Sequence, residues 1–299
     1  MTAAAEAPAA AAEDRPGLAG LWMIGAIVSF AAMAVAGREL SAELDTFEIM
    51  AYRSAIGFPF VAAALLWREG WRGAATARPG RHALRNVVHF SAQNAWFYGV
   101  ATIPLAQLVA LEFTNPIWVA LLAPLLLGER LTPWKLAAAA LGFAGVLVIA
   151  QPGAAPLDWG HAAGLGAAVG FALTNIATKG LTREDSLLCV LFWMTFSQMV
   201  MGVAFALPGG IPLVSEPLLP WLGFVGICGL TAHFSLTRAL TLADASLVAP
   251  MEFARLPVIA VVGMLLYGEP LTLALLLGAG LILAGNTANL LAGRARRGA

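Results

Sequence analysis

Apolar stretches of about 20 residues follow one another along this chain with short polar breaks between them. Each is long enough to cross a hydrocarbon core of roughly 30 Å as a helix. The pattern predicts ten spans, at residues 18–38, 46–67, 83–102, 105–127, 133–150, 160–180, 186–207, 219–240, 243–267 and 271–292. The largest gap between them, residues 68–82, carries Gly, Pro and Arg over 15 residues and reads as a surface loop. No gap is long enough for a second domain. Residues 1–17, rich in Ala with Glu, Asp and Pro, lack the basic flank of a secretion signal and are expected to remain as a disordered cytoplasmic tail. Residues 293–299 read as a basic cytoplasmic tail.

Of the 299 residues, 60% are apolar and 11% charged, where an ordinary soluble domain has roughly half and a quarter. A water-soluble globule of this size cannot hide that excess, so the expected class is an all-α membrane protein with ten transmembrane helices. The net charge of zero conceals an asymmetry. With the N-terminus inside, fourteen of the seventeen Lys and Arg residues fall on that side, Arg38 falls outside, and Arg53 and Arg255 lie within spans. The positive-inside rule then places both termini in the cytoplasm, for a multi-pass protein of a bacterial-type inner membrane. Cys189 and Cys228 lie in apolar spans without C-x-x-C spacing, so neither a disulfide framework nor a metal cluster is indicated.

The stretch "LEFTNPIWVALLAPLLLGERLT" at 111–132 returns as "MEFARLPVIAVVGMLLYGEPLT" at 251–272, at a constant offset of 140 residues. Over 112–145 there are 14 identities in 34 positions, including Glu112 with Glu252, Phe113 with Phe253, and both copies of G-E-x-L-T. The chain therefore reads as two five-span halves, 18–150 and 160–292. Five is odd, so the second half enters the membrane from the opposite side. Inverted repeats of this kind are a recurring plan of secondary transporters, with the substrate near the midplane between the halves. One fold in two orientations gives two states of similar energy, which small differential interactions can exchange.

Ionisable groups inside the spans are costly against lipid, by roughly 2.5 to 3.5 kcal/mol each on insertion scales. In "MEFARLP", Glu252 and Arg255 share a helix face at i and i+3 and are placed to pair; Glu112 and Arg53 lie at nearly equal depth. Two structural ion pairs, Glu252 with Arg255 and Glu112 with Arg53, are one reading. The other puts Glu112, Glu252 or Arg255 on the transport route, where Arg255 would meet a carboxylate and a glutamate an ammonium group. Arg53 is read as structural, and proton coupling through a glutamate is left open.

The third span, "HFSAQNAWFYGV", is polar for its depth. His89, Gln93, Trp96 and Phe97 follow helical spacing on one face, with Asn94 and Tyr98 adjacent, and Gln93 maps by the repeat offset onto His233. Cavity lining and interhelical hydrogen bonding are both open to this face; so they are to Thr174, Asn175 and Thr178 in span six. Trp118 can stack on an aromatic solute or simply pack. Trp22, Trp67, Trp71, Trp134, Trp159 and Trp221 lie near span ends as interfacial anchors. Pro116, Pro124, Pro250 and Pro257 favour kinks at nearly corresponding depths of spans four and nine, as hinges or as static bends. In span six, "GHAAGLGAAVG" offers small residues at four-residue spacing for close packing.

The G-E-x-L-T ends, the lead-ins "YGVATIPLAQLVALEFTNPIW" and "TRALTLADASLVAPMEFARLP", and the five-plus-five plan resemble the drug/metabolite transporter superfamily, specifically its EamA-type carriers, over about residues 18–292. The resemblance implies ten helices around a central cavity, walled by spans three, four, eight and nine with one and six. It implies a secondary transporter of small organic metabolites, with export of amino acids or related compounds as the leading expectation and uptake of riboflavin, S-adenosylmethionine or a similar metabolite as the alternative. An intramembrane enzyme is the remote alternative, since no acid, base and nucleophile stand at a supporting spacing. The expected substrate contacts are His89, Gln93, Trp96, Tyr98, Glu112, Trp118, Asn175, His233, Glu252 and Arg255. No phosphate loop, H-E-x-x-H or dinucleotide fingerprint occurs, and His82 and His161 are placed in loops or at span ends, away from a triad or metal cluster. No cofactor, metal or nucleic-acid partner is expected. The expected partners are a lipid bilayer and a small-molecule substrate, with the oligomeric state open, a monomer included.

Overall fold

The computed structural model describes residues 15–127, 133–151, 158–182, 184–242 and 251–295. Its helices are α1 (Pro16–Leu40), α2 (Thr46–Arg68), α3 (Pro79–Thr102), α4 (Leu105–Glu112), α5 (Asn115–Leu127), α6 (Pro133–Ala150), α7 (Trp159–Leu181), α8 (Leu187–Ala206), α9 (Leu219–Leu242), α10 (Arg255–Tyr267) and α11 (Leu273–Ala295). Eight predicted spans correspond to one helix each. The fourth is two helices, α4 and α5, and the ninth is seen from Met251 onward. Most of the two predicted tails, the first G-E-x-L-T copy at 128–132 and the opening of span nine at 243–250 lie outside the described residues. Residues 293–295, read from the sequence as tail, belong to α11, which runs to Ala295.

Local chemistry sets the helix ends. Asp45 caps α2 in a capping box: the Glu48 N–H donates to the Asp45 carboxylate at 2.8 Å and the Asp45 N–H to the Glu48 carboxylate at 2.7 Å. Asp158 and Ser186 accept backbone N–H bonds at the starts of α7 and α8. Pro16 and Pro79 open α1 and α3, where a missing N–H costs nothing. Gly268, at φ +64°, stops α10 in a left-handed turn that a side chain would strain.

Five helical stretches are long and apolar enough to cross a membrane by length and composition, and three shorter apolar helices accompany them. The helix α3 is not among them, because His82, Arg85, Asn86, His89, Gln93 and Asn94 lower its hydropathy. The outer surface is apolar: Leu21, Ile24 and Val28 of α1 and Leu273, Leu276 and Leu277 of α11 are each more than half exposed. A contiguous face of this kind calls for lipid rather than water.

The main helix pairings are α1 with α9, α3 with α7, α2 with α8 and α6 with α11, joined by α4 with α10. Exchanging the two halves maps the first four of these pairings onto themselves. Where partners cross, the side chains are small. A Cβ on Gly145 of α6 would come within 2.5 Å of the Gly278 carbonyl oxygen of α11, and one on Gly202 of α8 within 2.7 Å of the Ala51 backbone of α2. The small-residue run of span six behaves as the sequence suggests: Gly164 faces Leu108 and Leu111, and Gly170 faces Ala92. At the centre lies α4, with Leu105, Leu108 and Leu111 fully buried.

Candidate functional site

Both repeat copies break at one place. The fourth span leaves its helix after Glu112, turns through Phe113 and Thr114, and restarts at Asn115; the ninth turns through Phe253 and Ala254 after Glu252 and restarts at Arg255. Pro116 and Pro257 explain the position, since each lacks the N–H that would carry a continuous helix across the break, and proline is tolerated in a first turn. At Pro116 and Pro257 the expected kinks are thus full interruptions, whereas Pro124 lies within α5 and Pro250 lies outside the described residues. These interruptions bring the two glutamates, Asn115 and Arg255 to one central cavity of ≈ 360 Å³. The rings of Phe113 and Phe253, equivalent in the repeat, meet there edge to face at 5.3 Å.

Arg255 pairs across the halves with Glu112 at 2.7 Å, not with its own-helix neighbour Glu252. This corrects both ion pairs read from the sequence. The break after Glu252 rotates the helix that carries Arg255, so the i, i+3 relation does not apply. The second Glu112 oxygen accepts the Trp96 indole N–H at 2.9 Å, a charge-assisted bond. The Arg255 guanidinium also lies 4.8 Å from the Phe30 ring centroid and 5.0 Å from that of Phe113, within cation–π range. Glu252 lines the cavity with no hydrogen-bond partner among the described residues.

The polar face of α3 lines the same cavity through His89, Gln93, Trp96 and Phe97, opposite Asn175 of α7 and His233 of α9. The Asn175 amide donates to Asn115 at 3.3 Å, and Asn115 to the Ala168 carbonyl at 3.2 Å. Phe171 of α7 sits tilted 5.7 Å from the His89 ring and Phe30 of α1 sits edge to face 5.4 Å from the His233 ring, each contact crossing between the halves. Of the ten candidates from the sequence, His89, Gln93, Trp96, Glu112, Asn175, His233, Glu252 and Arg255 come together here. Tyr98 and Trp118 do not. Tyr98 falls on the exposed face of α3. Trp118 packs edge to face on Phe143 at 5.0 Å and donates to Thr114 at 3.2 Å, which uses both its surface and its N–H. Phe30, Phe171 and Asn115 were missed; Phe113 and Phe253 carried a signal, their recurrence beside the repeated glutamates.

Arg53 is buried and bonds Gln93 at 3.0 Å in place of the expected carboxylate. It also lines a second cavity of ≈ 270 Å³ between α2, α8 and α9, which shares His233 with the first. At the ends of α1 and α3 another polar group joins the halves. Arg38 donates to the carbonyls of Val100 and Ile103 and meets Glu269 at 3.3 Å, Glu269 accepts the Leu105 N–H at 2.9 Å, and Tyr267 donates to Glu39 at 2.8 Å. Glu269 is the glutamate of the second G-E-x-L-T copy.

At the far end of α3, His82 bonds Asp185 at 2.8 Å and Thr76 donates to the same oxygen at 2.8 Å. His82 is thus a buried residue in the first turn of α3, at the end of the predicted span. Cys189 comes close: donor atoms of all three side chains lie within 4.8 Å of one another. The two hydrogen bonds account for the arrangement as a tie between α3 and the loop before α8. Burial pushes the Asp185 carboxyl up, but the bonds from His82 and Thr76 outweigh it and hold the group below its usual value.

An apolar helical bundle around a cavity with aromatic and charged walls is the build of a multi-pass membrane transporter. The EamA-like transporter family matches the sequence twice, over residues 17–151 and 158–290, and the chain belongs to that family. A protein named riboflavin transporter from Rhizobium johnstonii is 31% identical over 264 residues, covering 88% of this chain and 87% of its own. An S-adenosylmethionine uptake transporter from Rickettsia bellii is 26% identical over 253 residues, covering 83% and 84%. A solved crystal structure shares the fold with a TM-score of 0.62 at 22% identity, over 92% of this chain and 97% of that one.

Proposed function

We propose that the chain is an inner-membrane secondary transporter that takes up riboflavin, S-adenosylmethionine or a metabolite of similar size and polarity, with both termini cytoplasmic. The observation that carries this reading is the central cavity: at ≈ 360 Å³ it falls within the range of small-molecule sites, and it combines aromatic rings with a part-buried Arg255–Glu112 pair and a Glu252 that has no hydrogen-bond partner among the described residues. His89, Gln93, Trp96, Asn175 and His233 are the further substrate contacts. The two halves, inserted with opposite topology, alternate around this site, and the Arg38–Glu269 contact closes the face away from the termini. The relatives named above are called riboflavin and S-adenosylmethionine transporters, so uptake of such solutes displaces amino-acid export as the leading reading. Enzymatic chemistry has no support from those relatives.

Counterflow in vesicles containing the purified protein tests this, with labelled riboflavin, S-adenosylmethionine and a set of amino acids. Riboflavin or S-adenosylmethionine should accumulate unchanged. Exchange of amino acids alone would restore the export reading, and chemical conversion of the solute would replace transport with catalysis.

A further inference from the structure

We infer that His89 and Gln93 form a hydrogen-bonding edge that reads a flat heteroaromatic ring, and that Arg53 and Gln198 are positioning residues that aim it. The inference rests on the reading of the central cavity as a transporter's substrate site. Gln93 Oε1 accepts from Arg53 Nη1 at 3.0 Å and from Gln198 Nε2 at 2.7 Å. A guanidinium only donates, so the Gln93 carbonyl must face Arg53 and its amide nitrogen must turn the other way. That nitrogen has no partner among the described residues, and the side chain lines the cavity.

One turn earlier on the same face, His89 is 6% exposed and both its ring nitrogens are buried without a partner. A neutral imidazole offers one donor and one acceptor whichever tautomer it holds. Two buried ring nitrogens without a partner among the described residues are unusual in a folded interior. At i and i+4 on α3, His89 and Gln93 project side by side, matching the edge of a planar heterocycle that presents an acceptor to Gln93 and an acceptor or N–H to His89. Phe171 beside His89, and Trp96 next along the face, supply ring surfaces for such a plane. An aliphatic amino acid can offer its carboxylate to these donors but has no ring to lie against Phe171 and Trp96. The charged residues at the helix breaks remain for the rest of the solute.

Gln93→Glu keeps an oxygen for Arg53 and Gln198 to hold and replaces the N–H donors with a carboxylate oxygen that only accepts, with Arg53 beside the added charge. Equilibrium binding to the purified protein is measured with riboflavin, by quenching of its fluorescence, and with labelled S-adenosylmethionine; leucine is the control without a heterocycle. The wild type should bind at least one heterocycle, and Gln93→Glu and His89→Phe should each weaken it about tenfold to a hundredfold. Arg53→Met, which frees the amide to flip, should weaken it similarly, and Arg53→Lys, which still only donates, should recover most of the loss. Wild-type affinity in Gln93→Glu, or a wild type that binds neither heterocycle, overturns the inference. A wild type that exchanges leucine in counterflow but binds no heterocycle would overturn it while leaving the transporter reading intact.

Discussion

The two polar centres that join the halves are built in opposite ways. At the ends of α1 and α3, Arg38, Glu269, Tyr267 and Glu39 are tied to one another and to the backbone of Val100, Ile103 and Leu105. In the cavity, both His89 nitrogens, the Gln93 amide nitrogen and the Glu252 carboxylate have no such partner among the described residues. Buried polar groups are normally satisfied, so the first centre holds two surfaces together, and the second is where the proposed function places the solute. The contrast recurs inside the repeat. Glu112 and Glu252 are equivalent in sequence, yet only Glu112 is held, by Trp96 and Arg255.

The sharpest way to break that contrast is Glu112→Leu. It leaves buried Arg255 without its hydrogen-bonded partner, Glu252 alone remaining as a nearby carboxylate, and should cost up to roughly 3 to 5 kcal/mol of stability, read as thermal unfolding in detergent; the double change with Arg255→Leu should recover most of it. Next, Arg38→Met removes charged hydrogen bonds worth about 1.5 to 3 kcal/mol. It should also speed alkylation of a cysteine placed at Leu236, a cavity position, by an impermeant reagent from that face. Glu252→Gln should change stability by under about 1 kcal/mol, since it breaks no bond, while cutting flux severely in counterflow. A stability loss equal to that of Glu112→Leu would erase the distinction between the two glutamates.

The smallest effect concerns acid stability at the other end of α3. Asp185 titrates lower in the folded protein than when unfolded. Its contribution is therefore full above the ordinary carboxylate value and lost as pH falls through the depressed one. Asp185→Asn should flatten the acidic side of a Tm against pH profile, and an unchanged profile would assign the acid response to other groups.

The helices were legible because lipid demands continuous apolar runs, which sequence records directly. α6, predicted over 133–150, spans Pro133–Ala150, and α2 and α8 end within a residue of their predicted limits. Most cavity residues were legible too, because Glu252 and Arg255 in an oily run, and His89 and Gln93 at helical spacing, demand a polar neighbour. Partner choice was not. The helix breaks after Glu112 and Glu252 redirect Arg255 toward the other half, and only the fold brings Gln198 of α8 to Gln93 of α3, 105 residues apart. Tyr98 and Trp118 failed for a related reason: each lies close to cavity residues in sequence but on another side of its helix.

The crossing of α6 and α11, where Gly145 and Gly278 face each other's carbonyl oxygens, has a mechanical consequence. Main chain meets main chain there, flanked by the side chains of Ile149 and Ile282, so rotation about the contact drags few atoms, whereas sliding would jam one helix against the other. If the halves rock, this pair is suited to be the spindle, and a single added methyl group at either glycine should slow turnover without touching the solute.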